Sequence, residues 1–294
     1  MYYMFLIEEE TCMTGIIKKI ITTTIHIFYR FGWLRNYVYF PFMAFLRVRH
    51  IGLFYKKYKG LEQLRGIHDG SRCFIIATGP SLRMEDVQKL GKEVTFSLNT
   101  FYKGYRYSDF RPDYYFIGDP GVLVDFDNSD INLSELAKKA VFLNDMIGRM
   151  DEKVIPIPIN YLDHWFNYGN PDYNYYKNLR FSDDILWGIY DKWTSTISLI
   201  EIAIYLGCKE IYLLGVDCNF SLKNLHFVKT DYDDEAWSPN KNLDAAEVQQ
   251  LSNIIGYEFI RHEAEKRGVQ IYNATKGGSL EVFERVDFDE IRLL

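Results

Sequence analysis

Five short polar stretches in this chain combine residue types that can hold an anion or a ribose. Thr78-Gly79-Pro80-Ser81 offers a glycine that lets backbone approach a ligand and a hydroxyl able to cap a following helix. Asn99 carries an amide that both donates and accepts, which suits a phosphate or a base edge. Asp119, in Gly118-Asp119-Pro120, can hold a ribose hydroxyl, a metal or only its own turn. Thr194 and Ser195 bring hydroxyls and N–H groups to a helix start, where the dipole is positive. Gly215-Val216-Asp217 adds a second carboxylate. Any one of these explains itself as a turn; five on one edge of a sheet ask for a ligand.

Proton transfer needs a base, and His226 is the only histidine between Cys218 and Asn242. A neutral imidazole there can take a proton from an attacking hydroxyl, although a packing histidine explains it too. His164, beside Trp165, is the second choice. No G-x-x-x-x-G-K-[ST] phosphate loop occurs in the chain.

The elements that must position these residues are short apolar runs alternating with helical stretches. Strands are predicted at Arg72–Thr78, Val94–Leu98, Tyr114–Ile117, Ala140–Leu143, Val154–Ile157, Ile211–Leu214 and Val269–Tyr272. Helices are predicted at Met84–Leu90, Thr196–Leu206 and Leu243–Arg267. This alternation implies an α/β fold: a Rossmann-like, mostly parallel sheet with helices on both faces, a lid segment and a helical N-terminal extension. Ligands in such sheets bind beyond the carboxyl ends of the strands, which is where the polar stretches fall. Cys218–Asn242, long and aperiodic, is the candidate lid. Asn160–Lys192 holds six Tyr, two Trp and two Phe; Tyr161, His164, Trp165 and Tyr168 are its candidate acceptor platform, since aromatic faces stack on sugar rings.

Charge is divided unevenly. The chain has 294 residues and a net charge of -6, which argues against a nucleic-acid partner. Residues 11–61 nevertheless carry nine Lys/Arg and no acid, among dense aromatics. The division expected is a basic, aromatic helical extension over 1–66 and a nucleotide-binding catalytic domain over 67–294. The extension suits either an anionic membrane surface or packing on the body or a second subunit, so a homo-oligomer is a further expectation. No apolar run reaches the ~18–20 residues of a membrane span. Met1–Glu10 lacks the charge order of a secretory signal, and the four cysteines show no metal or disulfide spacing. A cytoplasmic location, peripheral at the inner face of the plasma membrane, follows as the expectation.

The run ATGPSL, Asn99, Asp119-Pro120, the Thr-Ser before an apolar helix and CKEIYLLGVD together resemble the bacterial sialyltransferases that build lipooligosaccharide. They resemble at least as closely the domain family that includes archaeal 6-hydroxymethylpterin diphosphokinases and motility-associated glycosylation factors. Asn273-Ala274-Thr275, Gly277-Gly278-Ser279-Leu280 and Phe283-Glu284-Arg285-Val286 favour this second group. The resemblance covers residues 70–290. From the sialyltransferases it implies a cytidine monophosphate sugar donor, with Gly79, Ser81, Asn99, Thr194 and Ser195 on nucleotide-contacting positions. Thr78 and Asp119 stand where those enzymes have asparagines. Asn219 stands where they have a tyrosine that assists the departing phosphate, a part Tyr232 would take. Their histidine base has no match, since the stretch reads Ser238-Pro239-Asn240.

The expected activity is an inverting, His-assisted glycosyltransferase of sialyltransferase-like type, moving a sugar from a nucleotide-sugar to a cell-surface glycan or glycolipid. His226, Tyr232 and Asp217 are its catalytic candidates. Thr78, Gly79, Pro80, Ser81, Asn99, Asp119, Thr194, Ser195 and Gly215 are its nucleotide contacts. No cofactor is required by that reading. The alternatives are a diphosphokinase using ATP and Mg²⁺, with Asp119 and Asp217 as metal ligands, and a non-catalytic glycan-assembly factor.

Overall fold

The computed structural model describes residues 31–49, 53–119, 121–127, 129, 131–147, 149, 151–160, 179–220, 226–228 and 243–294. Among them an eight-stranded parallel sheet forms the centre. In chain order its strands are β1 (Arg72–Ile76), β2 (Val94–Leu98), β3 (Tyr114–Ile117), β4 (Ala140–Asn144) and β5 (Val154–Ile157). After a separate pair, β6 (Ile159–Asn160) and β7 (Ile189–Tyr190), come β8 (Glu210–Leu214), β9 (Gln270–Asn273) and β10 (Glu284–Arg285). Across the sheet the order is β10-β9-β8-β1-β2-β3-β4-β5. The seven predicted strands lie within a residue or two of their observed limits. The two-residue strands β6, β7 and β10 are too short to leave a periodic trace.

Successive side chains of a strand face opposite sides, and both sides here are apolar. Cys73, Ile75, Phe96, Tyr114, Phe116 and Phe142 enter one core with α2 (Leu53–Gln63), α5 (Ser195–Tyr205) and α6 (Leu243–Glu265). Phe74, Ile76, Tyr115, Ile117, Val141 and Leu143 enter the other. There they meet α3 (Met84–Gln88), the 3₁₀ stretch Asn99–Arg106 and α4 (Gly121–Phe126). Each fully buried Ile or Phe contributes about 1.5–3 kcal/mol, so the sheet is held from both faces. Cys73, Cys208 and Cys218 are free and buried thiols.

The described part of the basic extension packs on this body. A π-helical turn, Arg35–Tyr39, runs into α1 (Phe40–Val48), which lies against the 3₁₀ turn Ile185–Trp187. The neighbouring α2 covers β5. Arg47 is buried and donates to the carbonyls of Leu186 (2.7 Å) and Trp187 (3.0 Å), while Arg35 is wholly buried. Two of the nine bases therefore serve the fold and not its surface. No described helix is long and apolar enough to cross a membrane.

Candidate functional site at the sheet's switch point

β1 lies between β2 and β8, and the chain leaves their ends in opposite directions. From β1 it passes through α3 on one face; from β8 it passes through α6 on the other. A crevice forms where such connections part. The residues just beyond β1 and β8 are Thr78–Ser81 and Gly215–Asp217, so two of the five polar stretches meet there.

Their contact is intimate. The Gly79 amide donates to the Gly215 carbonyl at 2.8 Å. The Ser81 hydroxyl donates to Asp217 Oδ2 at 2.8 Å, and its amide reaches the same oxygen at 3.3 Å. Ser81 therefore does not cap the helix that follows: that position belongs to Arg83, which makes no side-chain cap. A charged acceptor 136 residues away outcompetes the local amide. Burial pushes the Asp217 carboxyl up from its ordinary value, opposed by the Ser81 hydroxyl, the Ser81 amide and the charge of Arg285. Gly79 is required here, since a Cβ would lie 2.5 Å from the Gly215 carbonyl and inside the Asp217 carboxylate.

The C-terminal segment closes this wall from behind. The Ser279 amide donates to the Asp217 carbonyl at 2.6 Å, and the Val216 amide donates to Thr275 Oγ1 at 3.1 Å. Arg285 holds the carbonyls of Thr275 and Gly277.

The other wall comes from the ends of β2 and β3 and the start of α5. Asn99 sits at φ +47°, a left-handed conformation that asparagine tolerates. Its Nδ2 donates to Ser195 Oγ at 3.2 Å, and its carbonyl accepts from the Tyr115 hydroxyl at 2.5 Å. Asn99 Oδ1 is buried and has no hydrogen-bond partner among the described residues, an arrangement that costs about 1–3 kcal/mol. It is an acceptor facing no donor. Thr194 is the N-cap of α5, accepting from the Thr196 amide at 3.4 Å, so Ser195 stands at a positive helix end. A Cβ on Gly118 would strike the Phe116 ring at 2.9 Å and touch Ser195 Oγ at 3.4 Å, so the residue is fitted closely between β3 and α5. Asp119 is solvent-exposed at the rim and accepts from the Gly121 amide at 2.8 Å. Surrounding protein raises its carboxyl, and that amide partly offsets the rise.

His226 arrives at the same edge. The Phe227 amide donates to the Thr78 carbonyl at 2.8 Å, and the Phe227 ring stacks on Phe101 at 5.8 Å. These contacts fix residues 226–228 across the end of β1. The structure thus brings Thr78, Gly79, Pro80, Ser81, Asn99, Asp119, Thr194, Ser195, Gly215, Asp217 and His226 to one end of the sheet. Tyr232, Tyr161, His164, Trp165 and Tyr168 lie outside the described residues. Asn144 at the end of β4, donating to the Gly118 carbonyl at 3.0 Å, was missed. Its place directly after an apolar run, like that of Asn99, was the available signal.

A family model for 6-hydroxymethylpterin diphosphokinase MptE-like proteins matches residues 50–223, more than half of the chain. The chain belongs to the MptE-like family. Among curated proteins, none matches this MptE-like chain in sequence. Among solved structures, the MAf glycosyltransferase of Magnetospirillum magneticum AMB-1 is 14% identical with a TM-score of 0.44, over 78% of this chain and 38% of that one. The chain thus spans well under half of that relative's length. The sialyltransferase CstII of Campylobacter jejuni in complex with cytidine-5'-monophosphate is 18% identical, with a TM-score of 0.44 over 74% of this chain and 85% of that one. CstII with CMP-3FNeuAc gives 17% identity and a TM-score of 0.42, over 76% and 90%.

Proposed function

We propose that this chain transfers a sugar from a nucleotide-linked donor to a hydroxyl of a cell-surface glycan, at the crevice between β1 and β8. The observation that supports the reading is the Phe227–Thr78 hydrogen bond, which brings residue 226 to the same strand ends as Asn99, Thr194 and Ser195. In this reading the donor phosphate lies against the positive start of α5, at Thr194 and Ser195. Asn99 Oδ1 accepts from the nucleotide. The acceptor hydroxyl attacks the anomeric carbon, the bond from that carbon to the phosphate oxygen breaks, and configuration inverts. The hydroxyl proton passes to the His226 imidazole, and the phosphate leaves with its nucleotide. Asp217 holds Ser81 in place, while Tyr232 assists the departing phosphate. Tyr161, His164, Trp165 and Tyr168 receive the acceptor.

Cytidine monophosphate sugars are the first donors to test, on the resemblance of ATGPSL, Asn99 and Thr194-Ser195. Metal-independent thermal stabilisation by CMP, and transfer lost in His226→Ala, are expected; ligand at a hundred times its Kd adds about 2.7 kcal/mol.

The family match favours a second reading, a diphosphokinase. Mg²⁺ needs only one or two carboxylates beside nucleotide phosphates, and Asp119 after β3 or Asp217 after β8 would each offer one, although two intervening strands keep them from sharing an ion. The metal would neutralise charge on the transferred diphosphate. Stabilisation by ATP only with Mg²⁺ would select this reading, and silence with CMP, UDP, GDP and ATP a non-catalytic assembly factor.

A further inference from the structure

The helical segment 32–49 has a buried side and an exposed side, and the exposed side is aromatic. Arg35, Asn36, Phe40, Ala44 and Arg47 are buried against the body. Trp33, Tyr37, Val38, Phe42 and Phe45 are exposed, with Tyr37 at 71% and Trp33 at 62%. The π-helical turn Arg35–Tyr39 gathers them. A π turn advances about 82° per residue against about 100° in an α-helix, so five residues hold the helix back by about 90°. Without that lag Trp33 and Phe42 would point about 180° apart; with it they stand about 90° apart. One contiguous apolar face results.

Cations border this face. Arg180 lies 5.5 Å from the Tyr37 ring centre and Arg49 lies 5.9 Å from that of Phe45. No acidic residue occurs between positions 11 and 61. A second copy docking through the same face would bring these guanidinium groups towards their own kind, which is repulsive. An anionic lipid surface meets both features. Its headgroups accept the arginines while its acyl boundary receives Trp33, Phe42 and Phe45, with amphipathic Trp33 and Tyr37 suited to the interface.

We propose that the aromatic face of residues 33–45, bordered by Arg49 and Arg180, docks the protein on anionic membrane without spanning it. This does not depend on what the crevice transfers. The docked helix sits close to the body's second sheet. Arg47 and Asn160 Nδ2 both donate to the Trp187 carbonyl, tying α1 to the β6–β7 pair that flanks residues 161–178 in sequence.

The test uses the full chain and two kinds of vesicle, phosphatidylcholine alone and phosphatidylcholine with phosphatidylglycerol, read by co-flotation. The intact chain should float with the anionic vesicles and fall off at high salt. Trp33→Ser/Phe42→Ser/Phe45→Ser removes three exposed rings and should weaken binding by about 100-fold or more. Arg49→Ala/Arg180→Ala should weaken it by about fivefold per charge. Thermal unfolding checks that each variant is folded; should the triple variant unfold, Trp33→Ser and Phe42→Ser singly carry the same test at about tenfold each. Wild-type flotation by the folded aromatic variants overturns the proposal, as does equal binding to neutral vesicles. So does a concentration-dependent dimer, abolished by the serine changes, in a chain that binds no vesicle.

Discussion

Replacing Gly79 with alanine probes the crevice where it is tightest. The new Cβ would fall 2.5 Å from the Gly215 carbonyl and inside the Asp217 carboxylate. The carbonyl cannot retreat without losing its 2.8 Å bond from the Gly79 amide, so the carboxylate must turn away. Turning breaks both Ser81 contacts to Oδ2. Losing hydrogen bonds to a charged group costs about 1.5–3 kcal/mol, and overpacking adds about 1–3 kcal/mol. The variant should therefore lose about 3–5 kcal/mol in urea unfolding without ligand. Nucleotide affinity should fall as well, because the Gly79–Ser81 turn is displaced. Gly91→Ala serves as the control, since its Cβ would meet only the Gln88 carbonyl at 3.9 Å, and it should stay within about 0.5 kcal/mol of wild type. If Gly79→Ala matches Gly91→Ala in stability and nucleotide binding, the geometry assigned to this turn is wrong.

His226→Ala should lower turnover by ~10²–10⁴ while leaving nucleotide affinity near wild type in steady-state kinetics and calorimetry; lost affinity instead would make His226 a ligand contact. Burial raises the Asp217 carboxyl, so the native state binds more protons than the unfolded chain there, and stability falls as pH rises through the folded value. Asp217→Asn removes that loss, so the difference in unfolding free energy, variant minus wild type, should grow between pH 4 and pH 7; a flat difference refutes the assignment. Lys192, just before α5, and Glu201, within it, form a wholly buried ion pair. Lys192→Met alone should cost about 3–5 kcal/mol by stranding Glu201, and Lys192→Met/Glu201→Leu should recover much of it in the same denaturant assay.

The sheet was readable because its strands are apolar on both faces and bounded by Gly, Pro and Asn. The strand-end rule then located Thr78–Ser81, Asn99, Asp119 and Asp217 without any knowledge of their neighbours. Pairing was not readable. Ser81 looks locally like a helix cap and finds Asp217 far along the chain, a choice that no window around residue 81 contains. Arg35 and Arg47 count as surface charge in a composition and as buried donors in the fold. Lys192 ends the aromatic stretch and Glu201 sits inside an apolar helix, so each looks locally like a lone charge and only the fold pairs them.

The place of β1 in the sheet also bears on how the protein is made. One edge of β1 is satisfied by β2, which follows within a few dozen residues; the other waits for β8, more than a hundred residues later. Until β8 has been synthesised, Cys73–Ile76 presents a bare, apolar strand edge in the parallel orientation that is slowest to pair. A nascent chain in that interval offers a template for neighbouring ribosomes' products, and chaperone capture there would guard the same edge that later becomes the floor of the crevice.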